Sequence, residues 1–264
     1  NLNTTRLKLH HHLLKCSLVA QHKFFWKYFL KFQNRRLSML RRTILPIFLT
    51  YLAFAAQLVD AKPIRCVAIG DSYTVATGID EKDSWPSQLT QKLKSAGIEI
   101  NLIEILGMRG ATSQQTLNEV MPLLKNLKPE FISLLIGVND WIREGVSSSK
   151  FKIRIKNLID EIQSNLPPPR KLLLVTIPDF SCSPQKKNWG YGKSATNGIT
   201  RLNKILNTEA RLRNLVIVDI YPLSQNLCSQ FGMFSDDGVH PSALQYSKWV
   251  DLIFPHLIDN LKLK

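Results

Sequence analysis

A chain of 264 residues, 44% apolar and 21% charged, has the composition of a globular protein and the length for one α/β domain or two small ones. Its net charge of +15 is unusual, but it is unevenly placed: residues 1–61 hold ten Lys/Arg and one acid, Asp60, whereas residues 62–264 carry 25 Lys/Arg against 19 Asp/Glu. The later part is only mildly basic and has no interleaved basic and aromatic cluster, so a nucleic-acid partner is not expected.

The chain opens at Asn1. Residues 1–38 carry eight Lys/Arg, no acid, His10-His11-His12 and the aromatic patch Phe24-Phe25-Trp26. A basic membrane-surface helix and a nucleic-acid arm are two readings of that stretch. The simpler one is a basic extension, translated upstream of a true start at Met39. Three adjacent histidines without a second ligand cluster do not make a metal site, and no cofactor motif appears elsewhere. Met39 is followed by Arg41, Arg42, an apolar run over 44–58, and Val59-Asp60-Ala61. These are the parts of a secretory signal peptide over 39–61, cut after Ala61, with Ala53-Phe54-Ala55 as an earlier alternative. The run falls short of the ~20 residues of a spanning helix, so no membrane span is expected after cleavage.

From residue 62 onward strand and helix signals alternate. The apolar run 64–69 reads as a short buried strand. Helical spacing over 85–96 stops at Gly97, and 98–106 reads as a second strand. A helix over 113–127 has Thr112 or Ser113 as its cap. A third strand over 131–136 precedes a helix over 151–166 that ends at Pro167-Pro168-Pro169. Strands over 172–177 and 215–220 flank a helix over 194–212, and a helix over 242–261 closes the chain. Apolar strands alternating with amphipathic helices predict one α/β domain over 62–264, a parallel sheet covered on both faces. The widest irregular loop is 178–193, with Trp189 and Tyr191.

Ligands of such sheets sit beyond the carboxyl ends of the strands, and the polar motifs fall there. Gly70-Asp71-Ser72 ends the first strand. Gly107-Met108-Arg109-Gly110-Ala111-Thr112-Ser113 follows the second, Gly137-Val138-Asn139-Asp140 ends the third, and Asp236-Asp237-Gly238-Val239-His240-Pro241 follows the fifth. Singly each has a plain reading: a turn, a helix cap, a surface histidine. Together, at one sheet edge, they point to a site. A serine hydroxyl needs a base to take its proton, and His240 is the natural base. Asp237, three residues earlier, is placed to fix its tautomer and stabilise the imidazolium. The N–H groups of Ser72 and Gly110 and the Asn139 amide are candidate donors to an oxyanion.

Gly70-Asp71-Ser72-Tyr73, Gly110, Gly137-Val138-Asn139-Asp140 and Asp237-Gly238-Val239-His240-Pro241 resemble, in order, the four blocks of the SGNH, or GDSL, hydrolases. The resemblance covers about residues 62 to 262. The stretches 110–115 and 236–241 are most similar to the bacterial periplasmic thioesterase/lysophospholipase/arylesterase branch. The resemblance implies a three-layer α/β/α flavodoxin-like sandwich with a five-stranded parallel sheet in the order 2-1-3-4-5. It implies Ser72 as nucleophile, Asp237 and His240 as its partners, and Ser72, Gly110 and Asn139 as the oxyanion hole. It further implies a serine esterase acting on a small-molecule or lipid ester; the signal peptide adds a periplasmic or secreted location, and a monomer without cofactor or metal is expected. Tyr73 replaces the leucine of the four-letter name, which leaves the chemistry intact. The loop 178–193 does not match that branch, so the substrate stays open. An apolar pocket would favour acyl esters or thioesters; an open groove with Trp141 or Trp189 stacking would favour deacetylation of a carbohydrate. A catalytically silent carbohydrate-binding relative is disfavoured, because nucleophile, acid, base and oxyanion donors are all retained.

Export and the implied strand order together predict a disulfide. Cys66 lies inside the first strand and reads as a small buried residue. Cys182 and Cys228 follow strands four and five, neighbours in a 2-1-3-4-5 sheet, and an oxidising compartment favours bridging them. The alternative is two free thiols on mobile loops.

Overall fold

The computed structural model describes residues 62–169, 171–185 and 193–262. The expected extension over 1–38, the signal peptide over 39–61, Trp189 and Tyr191 lie outside them. The strands β1 (Ile64–Gly70), β2 (Ile100–Gly107), β3 (Phe131–Leu135), β4 (Lys171–Val175) and β5 (Val216–Val218) form one sheet in the order β2-β1-β3-β4-β5. Every neighbouring pair is parallel. The five strands, their direction and their order are those expected. Ile69 of β1 pairs with Leu106 of β2 on one side and Leu134 of β3 on the other. The chain therefore leaves β1 in opposite directions across the sheet, which opens a crevice at the carboxyl ends of β1 and β3.

The interior strands are apolar on both faces because helices cover both. Every residue of β3 is buried, whereas edge strand β2 exposes Asn101 and Glu104. Helix α1 (Trp85–Ser95) packs on β2 and on the closing helix, and its N-cap Ser84 accepts a bond from the Ser87 N–H. After β2 come α2 (Ser113–Gln115), a π-helical turn (Thr116–Val120) and α3 (Met121–Leu124). Thr112 caps α2 in a capping box with Gln115. The single helix expected over 113–127 is thus interrupted. Pro122 has no N–H to give Asn118, and its ring would crowd that carbonyl, so the preceding turn widens.

Two short helices that the sequence pattern does not predict follow strands: α4 (Val138–Ile142) after β3 and α7 (Tyr221–Leu227) after β5. Helix α5 (Ser148–Ser164) starts earlier than expected because Ser147 caps it, accepting the Lys150 N–H. Helix α6 (Lys193–Leu212) packs against α5, α4 and β5. Helix α8 (Ala243–Lys262) packs against α1 and β5. At the centre of the α8 face the fully buried rings of Tyr246 and Trp249 meet edge to face, 5.0 Å between centroids. Cys66 is buried in β1, and that burial pushes its thiol up to about 12. Among the described residues no helix is long and apolar enough to cross a membrane.

Candidate active site

The first strand ends in a tight turn. The Asp71 carbonyl accepts the N–H groups of Thr74 (2.9 Å) and Val75 (3.1 Å), which folds the chain straight back from β1. A side chain on Gly70 would overlap both Thr74 and the Leu135 carbonyl, so this turn requires glycine. Ser72 sits in the turn with 9% of its surface exposed. The Tyr246 hydroxyl donates to the Tyr73 carbonyl at 2.8 Å and fixes the turn to α8.

The second and third motifs meet through Asn139. Gly110 follows β2 with φ +76°, a left-handed backbone that favours glycine, and the Arg143 side chain donates to its carbonyl. Asn139 lies buried in the first turn of α4. Its Nδ2 donates to the Ala111 carbonyl at 3.0 Å and reaches Asp71 Oδ2 at 3.4 Å. One amide thereby touches the neighbour of Gly110 and the neighbour of Ser72.

Asp140, the next residue, is wholly buried. Its Oδ2 accepts the Ser113 N–H at 2.7 Å. Its Oδ1 accepts the Ser113 hydroxyl at 2.7 Å and Arg154 Nη1 at 2.9 Å. Arg154 also pairs with Glu144 at 2.7 Å. A buried carboxylate is tolerated only with such pairing, and here the pairing ties α2, α4 and α5 around Asn139. Asp71 is also wholly buried, but with fewer donors. Burial pushes its carboxyl up to about 7. The Tyr73 N–H pulls it down, the Asp140 charge raises it further, and the Asn139 amide lowers it.

The fourth motif forms a self-contained loop before α8. Asp237 Oδ1 accepts the Val239 N–H (2.8 Å), the His240 N–H (2.9 Å) and the Ser235 hydroxyl (2.8 Å). Its Oδ2 faces His240 Nδ1 at 2.6 Å. Partial burial raises the Asp237 carboxyl, but the bonds from the His240 backbone and ring, Val239 and Ser235 outweigh it and hold it at about 2. An ionised Asp237 accepts the Nδ1 proton, which leaves the Nε2 lone pair as the basic position. The loop is closed by the Ser235 N–H to the His240 carbonyl (2.8 Å) and by a bridge between Phe234 and Pro241. The Tyr73 ring meets His240 edge-on at 5.8 Å, next to Ser72.

A second strap comes from the loop after β4. The Ser183 hydroxyl donates to the Gly238 carbonyl at 2.5 Å and the Gln185 N–H at 3.3 Å. Cys182 is disulfide-bonded to Cys228 with 5.7 Å between Cα atoms, as expected from the neighbouring strands. Asp71, Asp140, Arg154 and Ser183 were not singled out from sequence. The two aspartates stand inside motifs already quoted. Arg154 is one turn from Phe151 on a stripe continued by Ile155, Leu158 and Ile162, and a charge there signals a buried partner. Ser183 carried no signal. Among the described residues no three His, Cys, Asp or Glu side chains converge as a metal site.

A family model described as GDSL-like Lipase/Acylhydrolase matches residues 68–248. A multidomain esterase of Ruminococcus flavefaciens is 29% identical over 144 residues, 51% of this chain but 17% of that protein. The Escherichia coli (strain K12) protein named thioesterase 1/protease 1/lysophospholipase L1 is 23% identical over 198 residues, 74% of this chain and 82% of that one. Among solved structures, the Clostridium thermocellum family 3 carbohydrate esterase shares the fold with a TM-score of 0.59. It is 22% identical, and the match covers 76% of this chain and 98% of that one.

Proposed function

The chain belongs to the GDSL-like lipase/acylhydrolase family and is an esterase of that type, and from this we propose that it cleaves carboxylic esters or thioesters through an acyl-enzyme on Ser72. Ser72 Oγ attacks the acyl carbonyl while His240 Nε2 takes its proton. Asp237, held ionised by its four donors, stabilises the resulting imidazolium. The oxyanion takes hydrogen bonds from the N–H groups of Ser72 and Gly110 and from Asn139 Nδ2. The 3.4 Å reach of Asn139 toward Asp71 is long for a hydrogen bond, so that N–H is the one free to turn to the oxyanion. His240 then protonates the leaving alcohol or thiol, and water activated by the same imidazole releases the acid.

The observation that carries this reading is the 2.6 Å contact between Asp237 and His240, edge-on to the tyrosine that follows Ser72. Acyl esters are favoured over acetylated carbohydrates because Trp141, one of the two rings on which a sugar could stack, is already covered by Arg201 at 4.7 Å. The name of the Escherichia coli relative supports the same choice. Deacetylation is the second reading, favoured by the fold shared with a carbohydrate esterase. The protein acts outside the cytoplasm on this reading: residues 39–61 have the make-up of a signal peptide, and a disulfide suits an oxidising compartment. A panel of p-nitrophenyl esters from acetyl to palmitoyl, with acyl-thioesters and acetylated xylan alongside, tests the proposal. Turnover of the longer acyl chains, absent in Ser72→Ala, is expected; turnover of xylan alone selects deacetylation, and full activity in Ser72→Ala rejects the mechanism.

A further inference from the structure

Outside that site, a groove of about 290 Å³ lies between α5 and α6. Ser148 and Lys152 of α5 line one side, and Arg201, Lys204, Thr208 and Glu209 of α6 the other. The one carboxylate among these is already neutralised: Glu209 is buried and paired with Arg213, which also binds Asp160 at 3.0 Å. Lys152, Arg201 and Lys204 have no carboxylate within ion-pair distance among the described residues. Three cations therefore share one concave surface, none with an ion-pair partner of its own. Their mutual repulsion is relieved when an anion binds.

The groove has the parts that a phosphate group needs. Arg201 lies over the Trp141 ring, and that ring rests against the backbone at Gly198. Stacking uses the face of the guanidinium and leaves its N–H edge for oxygen acceptors, in a fixed orientation. Lys152 and Lys204 add mobile point charges, and the Ser148 and Thr208 hydroxyls add neutral donors. The groove opens at the first residue of α5, a 17-residue helix whose positive end has the same sign. One apolar side chain stands in the open nearby: Leu212, at 71% exposure, lies one turn beyond Thr208 on the same stripe of α6. Cations beside an exposed leucine suit an anionic lipid headgroup as well as a free phosphate.

We propose that the groove between α5 and α6 binds a phosphate group through Arg201, Lys152 and Lys204, presented either by an anionic lipid headgroup or by free phosphate. None of these residues is among Ser72, Asp237, His240, Gly110 or Asn139, so phosphate binding does not depend on which ester is cleaved there.

Calorimetric titration of the full chain with inorganic phosphate at constant ionic strength tests the shared chemistry. Co-sedimentation with vesicles of phosphatidylcholine, alone or mixed with phosphatidylglycerol, tests the lipid source. The informative variant is Lys152→Gln/Lys204→Gln, both exposed. Lys125→Gln/Lys248→Gln removes the same charge elsewhere and serves as control. The groove variant should bind phosphate roughly ten-fold or more weakly, as expected for the loss of two charge-assisted contacts, while the control keeps the wild-type affinity. Binding to the anionic vesicles that the groove variant alone loses assigns the headgroup; phosphate binding without vesicle binding assigns the free anion. No phosphate or vesicle binding by the wild type, or an equal loss in the control, overturns the proposal.

Discussion

Asp71 and Asp237 are two carboxylates of the candidate site, and their surroundings set them in opposite directions. Asp71 is wholly buried at the end of β1, with one backbone N–H, one long contact to the Asn139 amide and the Asp140 charge nearby; its carboxyl rises to about 7. Asp237 is largely exposed, in a loop that aims two backbone N–H groups, a hydroxyl and the His240 ring at it; its carboxyl falls to about 2. Burial raises both, and the number of donors decides the outcome. The Asp237 side of the site is built to keep a charge beside His240. The Asp71 side is built to hold the Ser72 turn and the Asn139 amide in place without needing one.

The contrast predicts unequal losses on substitution. His240→Ala should lower kcat by several orders of magnitude, and Asp237→Asn by somewhat less, roughly 10³–10⁴-fold, because the imidazolium loses its partner. Steady-state kinetics on a p-nitrophenyl ester reads both. Asp71→Asn keeps the shape and removes a group that does not need its charge, so its kcat should fall by no more than about ten-fold. Equal losses in Asp71→Asn and Asp237→Asn would erase the distinction.

Asn139→Ala comes next. On the proposed mechanism this removes one oxyanion donor, and kcat should fall by about 10²–10³-fold while KM hardly moves, since the bond matters in the transition state. An effect confined to KM would make Asn139 a substrate-positioning residue instead.

The pH dependence of stability separates the two carboxylates without any substrate. The folded-state value of Asp71 lies above its unfolded value of ~3.9, so its contribution is fully present below pH ~4 and is lost as pH rises toward 7, in all roughly 4 kcal/mol. Asp237 has the reverse sign: its contribution is present above pH ~4 and is lost as pH falls toward 2. Thermal melts between pH 4 and 8 should show Asp71→Asn losing less stability than wild type as pH rises. Parallel curves would mean that Asp71 titrates normally in the folded protein.

The smallest effect on catalysis is expected at the disulfide, whose Cys182 precedes the Ser183 that holds Gly238 of the Asp237 loop. It closes a separation of 46 residues, which is worth roughly 4 kcal/mol on the chain-entropy model. Cys182→Ser/Cys228→Ser should therefore lower the melting temperature and leave kcat near wild type. Peptide mapping without reductant should recover the two cysteines joined; two alkylated thiols would reject the disulfide.

Much of this arrangement was legible in the sequence, and what was not has physical reasons. Four polar motifs at strand ends were enough to bring Asp71, Asn139 and the Asp237–His240 pair to one sheet edge, because a parallel sheet has only one carboxyl edge. The cysteine pair was legible because β4 and β5 are neighbours. Helices α4 and α7, at five and seven residues, are too short for periodicity to register. The π-helical turn before Pro122 hides inside an apolar pattern that continues across it. The opposed settings of Asp71 and Asp237 depend on donors and burial that only the assembled fold supplies. Ser183 reaches Gly238 across 55 residues, with no local signal at either end.

Labelling with a fluorophosphonate, followed by mass mapping of the adduct, addresses the nucleophile itself. A single adduct on Ser72 is predicted, absent in Ser72→Ala, slowed in His240→Ala and in Asp237→Asn, and little changed in Asp71→Asn. An adduct on any other serine, or one that forms at the wild-type rate without His240, would contradict the assignment of Ser72 and His240 as nucleophile and base.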